Sequence, residues 1–287
     1  MAFERLVRFI PSSDEGAILI GQPVDSAVDV GAAVRKGEDV KVKVFSGSSA
    51  LSPGSLTDKV ESIGRILSPV SMSETLPRGA RYKEHAKEAN ISLPDVPTVF
   101  MKPATCLADP WPATTPIPKH TLADDSADYE SELCVVIGKT AKNVSEADAL
   151  DYVLGYTACN DISSRKEQFA TSQWSYSKSF DKACPIGPVL ASKELVGDVG
   201  ELHMKGFLNG KGMQDSKLND MIFNVPKLVS FLAKGSTLPA GTIIITGTPA
   251  GVGIMRKPKV VLHDGDEFVV EIQPHIGSLY NVMEAET

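Results

Sequence analysis

Two stretches hold the residues best suited to chemistry: Asp128-Tyr-Glu-Ser-Glu-Leu-Cys-Val-Val-Ile-Gly138, and the Asn160-Asp161 pair that closes the next apolar segment. Side chains alternate along an extended chain, so Glu130 and Glu132 point to one side and Ser131 to the other. Taken alone, Glu-x-Glu is more often a solvated strand end. Here the run after Glu132 is apolar on both faces, which marks a strand buried in its sheet, and carboxylates at the mouth of such a strand need partners. Asp161 likewise stands where an apolar strand ends. Three carboxylates in one cleft repel one another unless a cation neutralises them. The donors are all oxygens, with no Cys or paired His nearby, which suits Mg²⁺ or Mn²⁺; Ca²⁺ is less suited because no EF-hand-type loop is present. Three ligands of about six leave positions for water or a chelating substrate.

Other positions carry weaker signals. His85 and Glu88 are three apart in a helix-compatible segment, hence neighbours if it is helical, although such a pair is usually exposed. Arg165 and Gln168 lie four and seven residues beyond Asp161, on one helical face, where a plain surface helix is the alternative. The loop Gly247-Thr-Pro-Ala-Gly-Val-Gly253 follows a β-branched strand, and its glycines let backbone N–H groups approach an anion closely. A phosphate loop is the competing reading, but the Gly-Lys-Ser/Thr ending is missing. The four cysteines, 106, 134, 159 and 184, form no Cys-x-x-Cys pair and read as reduced, buried hydrophobes. Cys184 as a nucleophile would need a histidine that its sequence neighbourhood does not supply.

The elements that must position these residues are mainly strands. Residues 3–10 and 16–24 read as a hairpin, 41–45 as a period-2 strand, and 57–67 as a short helix. A Ser- and Pro-rich stretch at 68–77 divides a small N-terminal β-rich domain, 1–70, from a main domain, 71–287. In the latter, 81–89 is helix-compatible, 98–102 a short strand, and 103–118 a proline-rich loop. Strands are expected at 132–137 and 154–159, with a helix over 146–153 capped by Ser145. Strands at 189–190 and 202–208 precede a hairpin turn at Asn209-Gly-Lys-Gly. A helix at 225–232, capped by Asn224 with Pro226 at its start, leads to strands at 242–246, 260–262, 267–272 and 278–283. The class is α+β and β-rich, not a doubly wound parallel sheet.

Composition agrees with a globular chain and excludes some partners. The 287 residues are 42% hydrophobic, and 29 Lys and Arg face 36 Asp and Glu for a net charge of −7, without a basic cluster, which argues against nucleic acid. No apolar run reaches the roughly 20 residues that would cross a bilayer, and no secretory h-region opens the chain, so a cytoplasmic protein is expected.

From about residue 66 onward the chain resembles the fumarylacetoacetate hydrolase superfamily. The matching segments are Tyr82-Lys-Glu-His-Ala-Lys-Glu88, Val99-Phe-Met-Lys-Pro103, Tyr129-Glu-Ser-Glu-Leu133, Gly155-Tyr-Thr-Ala-Cys-Asn-Asp161, Ser164-Arg-Lys-Glu-Gln168, Lys178-Ser-Phe-Asp181, Met213-Gln-Asp-Ser216 and Thr246-Gly-Thr-Pro-Ala-Gly-Val-Gly253. The resemblance implies a mixed β-sheet and β-roll core and a divalent metal, Mg²⁺ or Mn²⁺, on Glu130, Glu132 and Asp161. It also implies a pocket lysine at Lys178, substrate contacts from Arg165, Gln168 and Thr248, and a His85–Glu88 dyad on a mobile lid that takes a proton from water. The implied substrate is a small 2-oxo or diketo acid, and relatives are mostly homodimers. Three reactions fit such a site: hydrolysis of a C–C bond in an acylpyruvate-type diketo acid, decarboxylation of oxaloacetate, or its keto–enol tautomerisation. A metabolite-binding scaffold without turnover is the non-enzymatic alternative. One departure is Gly79-Ala-Arg-Tyr82, where relatives often read Gly-Leu-Asn-Tyr.

Overall fold

The structure is a computed structural model that describes residues 3–71, 78–79 and 95–287. Four strands open the chain: β1 (Arg5–Pro11), β2 (Leu19–Pro23), β3 (Lys41–Phe45) and β4 (Leu56–Leu67). Then come β5 (Arg78–Gly79), β6 (Phe100–Met101), β7 (Leu107–Ala108), β8 (Thr114–Ile117), β9 (Ala127–Asp128), β10 (Ser131–Ile137), β11 (Val153–Asn160), β12 (Ser163–Ser164) and β13 (Cys184–Ser192). The last five are β14 (His203–Leu208), β15 (Lys211–Lys217), β16 (Ile243–Ile245), β17 (Glu267–Gln273) and β18 (Gly277–Ala285).

Among the described residues one large sheet runs β2-β3-β4-β1-β13-β11-β10-β16-β5-β6, with β7 alongside β13, and a second runs β15-β14-β17-β18-β8. The N-terminal strands thus continue into the main sheet through β1, whose Leu6 pairs with Leu190 of β13. Strands β10, β11 and β13 are buried nearly throughout, as their unbroken apolar runs require of strands covered on both faces. One core cluster fills the space between the two sheets, and there the ring of Tyr129 stacks on Phe268 at 4.4 Å. The short helix Val30–Arg35 lies against β18 so closely that a Cβ on Gly31 would collide with the Ser278 carbonyl. Asp29 caps that helix through Ala32 N and also accepts from Ser278 N and Oγ.

The hairpin 3–10 and 16–24 is present as β1 and β2. Asn209 and Gly210 both have positive φ, as a two-residue hairpin turn demands, and Asn224 caps the helix Val225–Ala233 by accepting from Lys227 N. Three local readings are corrected. Residues 57–67 form strand β4, not a helix: Ile10 pairs with Arg65 and Pro11 with Ile63, so Gly64 is an extra residue that brings Ile63 and Ile66 to one side at a spacing that imitates a helix. Ser145 does cap, accepting from Asp148 N, but the segment it opens holds only a 3₁₀ turn, Ala149–Tyr152, before β11 begins. Residues 260–262 join no ladder; Val260 N and Leu262 N donate instead to the carbonyls of Gly253 and Ala127. The proline-rich stretch 103–118 carries two short strands, β7 and β8. The helix expected at 81–89 lies outside the described residues.

Candidate functional site

Strands β10 and β11 are antiparallel with Ser131 opposite Asn160, which places Glu130 and Asp161 side by side just past the last ladder pair. Asp161 N donates to the Glu130 carbonyl at 2.9 Å, and Glu130 N to Asn160 Oδ1 at 3.1 Å, so both backbones are fixed where the carboxylates emerge. Glu132, two residues on, faces the same way. One oxygen from each of Glu130, Glu132 and Asp161 lies within 4.8 Å of the others, and all three residues are buried.

Cations converge on this cluster from three separate elements. Lys178, 2% exposed, comes from the 3₁₀ turn Tyr176–Lys178 and donates to Glu130 Oε2 (2.9 Å), Asp161 Oδ2 (2.6 Å) and Ser163 Oγ (2.7 Å). Lys102, next to β6, donates to Asp161 Oδ1 (2.6 Å) and to the Ala183 carbonyl (3.0 Å). Burial, the largest single influence, would lower the Lys102 pKa, but Asp161 together with smaller contributions from Cys184 and Cys106 outweighs it and holds the ammonium above its ordinary value. Arg165 starts the helix Arg165–Ala170 and reaches Asp128 Oδ2 (2.8 Å), Glu130 Oε1 (2.6 Å) and Gln168 Oε1 (2.8 Å), so Arg165 and Gln168 do share one buried face. Its Nη2 is buried and has no hydrogen-bond partner among the described residues.

Among the described residues four carboxylates, including Asp128, therefore meet three cations, and the imbalance falls on Glu132. Among the described residues no cation lies within ion-pairing distance of it; its Oε2 accepts from Gly247 N at 2.7 Å. Burial, followed by the charges of Asp161 and Glu130, pushes its pKa well above the ordinary carboxylate range despite Lys178 and the Gly247 N–H. The donor set fits a hard divalent cation: three oxygen ligands converge, and one of them lacks the counter-charge the other two possess. Such an ion would turn the local excess of one negative charge into one positive charge, which a substrate carboxylate can match.

The loop after β16 closes the other side. Gly247 and Gly251 take positive φ, and a Cβ on Gly251 would strike the Met213 carbonyl. Asp128 ties the loop end by accepting from Gly253 N (2.8 Å) and Ile254 N (3.0 Å), and Tyr129 Oη donates to the Gly251 carbonyl at 3.0 Å. Thr248 is buried, and its Oγ1 accepts from Gln214 Nε2 at 2.7 Å.

Of the residues singled out in the sequence, the structure gathers Glu130, Glu132, Asp161, Arg165, Gln168 and Lys178 into one cluster, with Thr248 on the loop beside it. His85 and Glu88 lie outside the described residues. The four cysteines are free and buried. Cys184 has its Sγ 3.4 Å from that of Cys159, and this hydrogen bond lowers its pKa, but the thiol has no exposed face from which to attack a substrate. Lys102, Asp128 and Gln214 are site residues that the sequence did not single out, although all three stand in or beside the quoted segments. Their partners are remote in the chain, such as Asp161 for Lys102, so only the fold exposes their roles.

Residues 74–284 match the fumarylacetoacetate (FAA) hydrolase C-terminal family. The chain is 42% identical to a caffeoylpyruvate hydrolase from Neonothopanus nambi over 99% of this chain and 94% of that protein. It is 37% identical to an oxaloacetate tautomerase from Bacillus subtilis over 78% of this chain and 76% of the relative. The solved fumarylacetoacetate hydrolase from Exiguobacterium antarcticum superposes with a TM-score of 0.77 at 28% identity, covering 98% of this chain and 99% of that one. With the acidic cluster, the β-rich core and the matched sequence in agreement, the chain belongs to the fumarylacetoacetate hydrolase family.

Proposed function

We propose that the protein is a divalent-metal-dependent hydrolase that cleaves a C–C bond in acylpyruvate-type diketo acids. The observation that carries this reading is the buried Glu130–Glu132–Asp161 cluster, whose Glu132 has no ion-paired cation among the described residues, set beside hydrogen-bond donors that suit a 2-oxo acid. A Mg²⁺ or Mn²⁺ held by these three carboxylates would supply Lewis-acid polarisation of the 2-oxo group. Thr248 and Nη2 of Arg165, which has no partner among the described residues, are donors for the substrate carboxylate, with Gln168 holding the guanidinium in place. His85, oriented by Glu88, takes a proton from water as the water oxygen bonds to the distal carbonyl carbon. The bond from that carbon to the α-carbon then breaks, and its electron pair stays with the pyruvate portion as an enolate. Lys178 lies where it can offset that charge, and protonation of the enolate carbon gives pyruvate beside the released acid. The near-full-length similarity to a caffeoylpyruvate hydrolase supports this reading.

A second reading, conversion of oxaloacetate by tautomerisation or decarboxylation, draws on the similarity to the oxaloacetate tautomerase. It uses the same enolate without attack by water. The test is incubation of purified protein and Mg²⁺ or Mn²⁺ with acetylpyruvate and, separately, oxaloacetate, tracking enol absorbance and pyruvate. Pyruvate from acetylpyruvate supports hydrolysis. Keto–enol exchange of oxaloacetate without pyruvate supports a tautomerase, and pyruvate from oxaloacetate a decarboxylase. Flat traces with both substrates would sink the enzymatic reading in favour of a metabolite-binding scaffold.

A further inference from the structure

Gln214 stands on β15, in the second sheet, yet its carboxamide makes all its hydrogen bonds in the catalytic cluster of the first. Its Oε1 accepts from Ser131 N at 2.9 Å, while its Nε2 donates to the Pro249 carbonyl at 2.9 Å and to Thr248 Oγ1 at 2.7 Å. The orientation of this amide has no alternative. A backbone N–H can only donate and a backbone C=O can only accept, so a flipped amide would set like against like at both ends. The side chain is also closely packed: a Cβ on Gly206 would come within 3.2 Å of Gln214 Oε1, and one on Gly251 within 3.3 Å of its Cγ. The residue is 3% exposed.

The consequence falls on Thr248. Both Nε2 hydrogens are committed, one of them to Thr248 Oγ1, so the threonine oxygen is held as an acceptor there. Its own hydrogen has no acceptor among the described residues and must be donated elsewhere. We infer that Gln214 is a positioning residue that fixes the polarity of Thr248, presenting its hydroxyl to the pocket as an obligate donor and so selecting an anionic or carbonyl oxygen as its ligand. The same amide anchors the peptide between Glu130 and Glu132 through Ser131 N, so one side chain sets the spacing between the carboxylate cluster and the substrate donor. This inference rests on the substrate-binding role proposed for Thr248, and adds to it a direction for the hydrogen bond and the residue that imposes it.

The test is calorimetric titration of oxalate, a chelating dianion, into the Mn²⁺-loaded protein and its variants Gln214→Glu, Gln214→Met, Thr248→Val and Gln214→Glu/Thr248→Val, with Mn²⁺ content and thermal unfolding recorded for each. In Gln214→Glu an oxygen replaces Nε2 and accepts the Thr248 proton, reversing the polarity. Oxalate affinity then falls on the order of 10- to 100-fold, the range for losing a hydrogen bond to a charged group. Thr248→Val loses a comparable factor, and the double variant loses no more than Thr248→Val alone. Gln214→Met frees the hydroxyl without reversing it, so its loss is only a few-fold, on the order expected for one neutral hydrogen bond; a purely structural role would make the Met variant as weak as the Glu variant. Equal loss in the two Gln214 variants, or additive loss in the double variant, overturns the inference. If the wild-type protein turns over neither acetylpyruvate nor oxaloacetate while the oxalate cycle behaves as described, the functional proposal fails and the polarity assignment stands. A wild-type protein that takes up no oxalate overturns both.

Discussion

Glu132→Gln, tested in protein stripped of metal with a chelator, separates a carboxylate cluster built for a cation from one built for stability. An oxygen of Glu132 lies within 4.8 Å of one from each of Glu130 and Asp161, and at an effective dielectric of about 20 one such repulsion costs about 3.5 kcal/mol. Two act on Glu132, and Lys178 offsets roughly one of them. If the group instead keeps its proton at pH 7, holding it against a carboxyl's ordinary tendency to ionise there costs on the order of 3 kcal/mol. Both routes give a destabilisation of about 3 kcal/mol that Gln removes, while its side-chain oxygen can still accept from Gly247 N. The metal-free variant should therefore melt about 6–12 °C above the metal-free wild type at pH 7. The raised pKa also fixes the sign with pH. The folded state binds the extra proton, so wild-type stability falls as pH rises from the unfolded carboxyl value toward the folded one, and the advantage of the Glu132→Gln variant vanishes below about pH 4.5. Adding Mn²⁺ at a hundred times its dissociation constant should stabilise the wild type by about 2.7 kcal/mol and the variant hardly at all. Thermal unfolding across pH, with and without Mn²⁺, reads every term. A metal-free variant less stable than wild type at pH 7, or one that responds to Mn²⁺ as wild type does, would refute the reasoning.

Lys102→Met leaves Asp161 with one cation among the described residues and the Ala183 carbonyl with Ile162 N as its remaining donor, and should cost about 3 kcal/mol by denaturant unfolding, chiefly through the uncompensated buried charge. Asp128→Asn turns its amide N–H groups either toward Arg165 Nε and Ile254 N, which share Oδ2, or toward Gly253 N and Tyr129 N, which share Oδ1. It should raise amide hydrogen exchange across residues 251–256 while Mn²⁺ content stays at the wild-type level. His85→Ala should suppress hydrolysis of acetylpyruvate more than tautomerisation of oxaloacetate, and equal retention of both would remove His85 as the base. Native protein should resist a thiol-labelling reagent at all four cysteines, which react only once the chain is unfolded in denaturant.

The features legible in the sequence are those in which neighbours along the chain decide the outcome. Glu130 and Glu132 before an unbroken apolar run, Asp161 at the end of the next one, Asn209-Gly210 between two strands, and Asn224 ahead of Pro226 each contain their own physical reason. Legibility is lost where a distant partner decides. In β4 the apolar residues fall at helical spacing because Gly64 interrupts the alternation, and only pairing with β1 shows it. Val260 and Leu262 look like a strand, yet their N–H groups are taken by Gly253 and Ala127. Lys102 sits in a stretch that reads as a simple strand end. Its burial makes sense only beside Asp161, fifty-nine residues later.

The pairing of β1 with β13 also bears on synthesis. Leu6 leaves the ribosome 184 residues ahead of Leu190, its ladder partner. At about 5–20 residues per second this interval is roughly 10–40 s. During that time β1, flanked by β2 and β4 once those have emerged, presents the apolar residues that β13 will later cover. The closing contacts of Asp29 with Ser278 come later still. The face of β1 therefore stays without its β13 cover through most of synthesis, and slower translation would lengthen that interval.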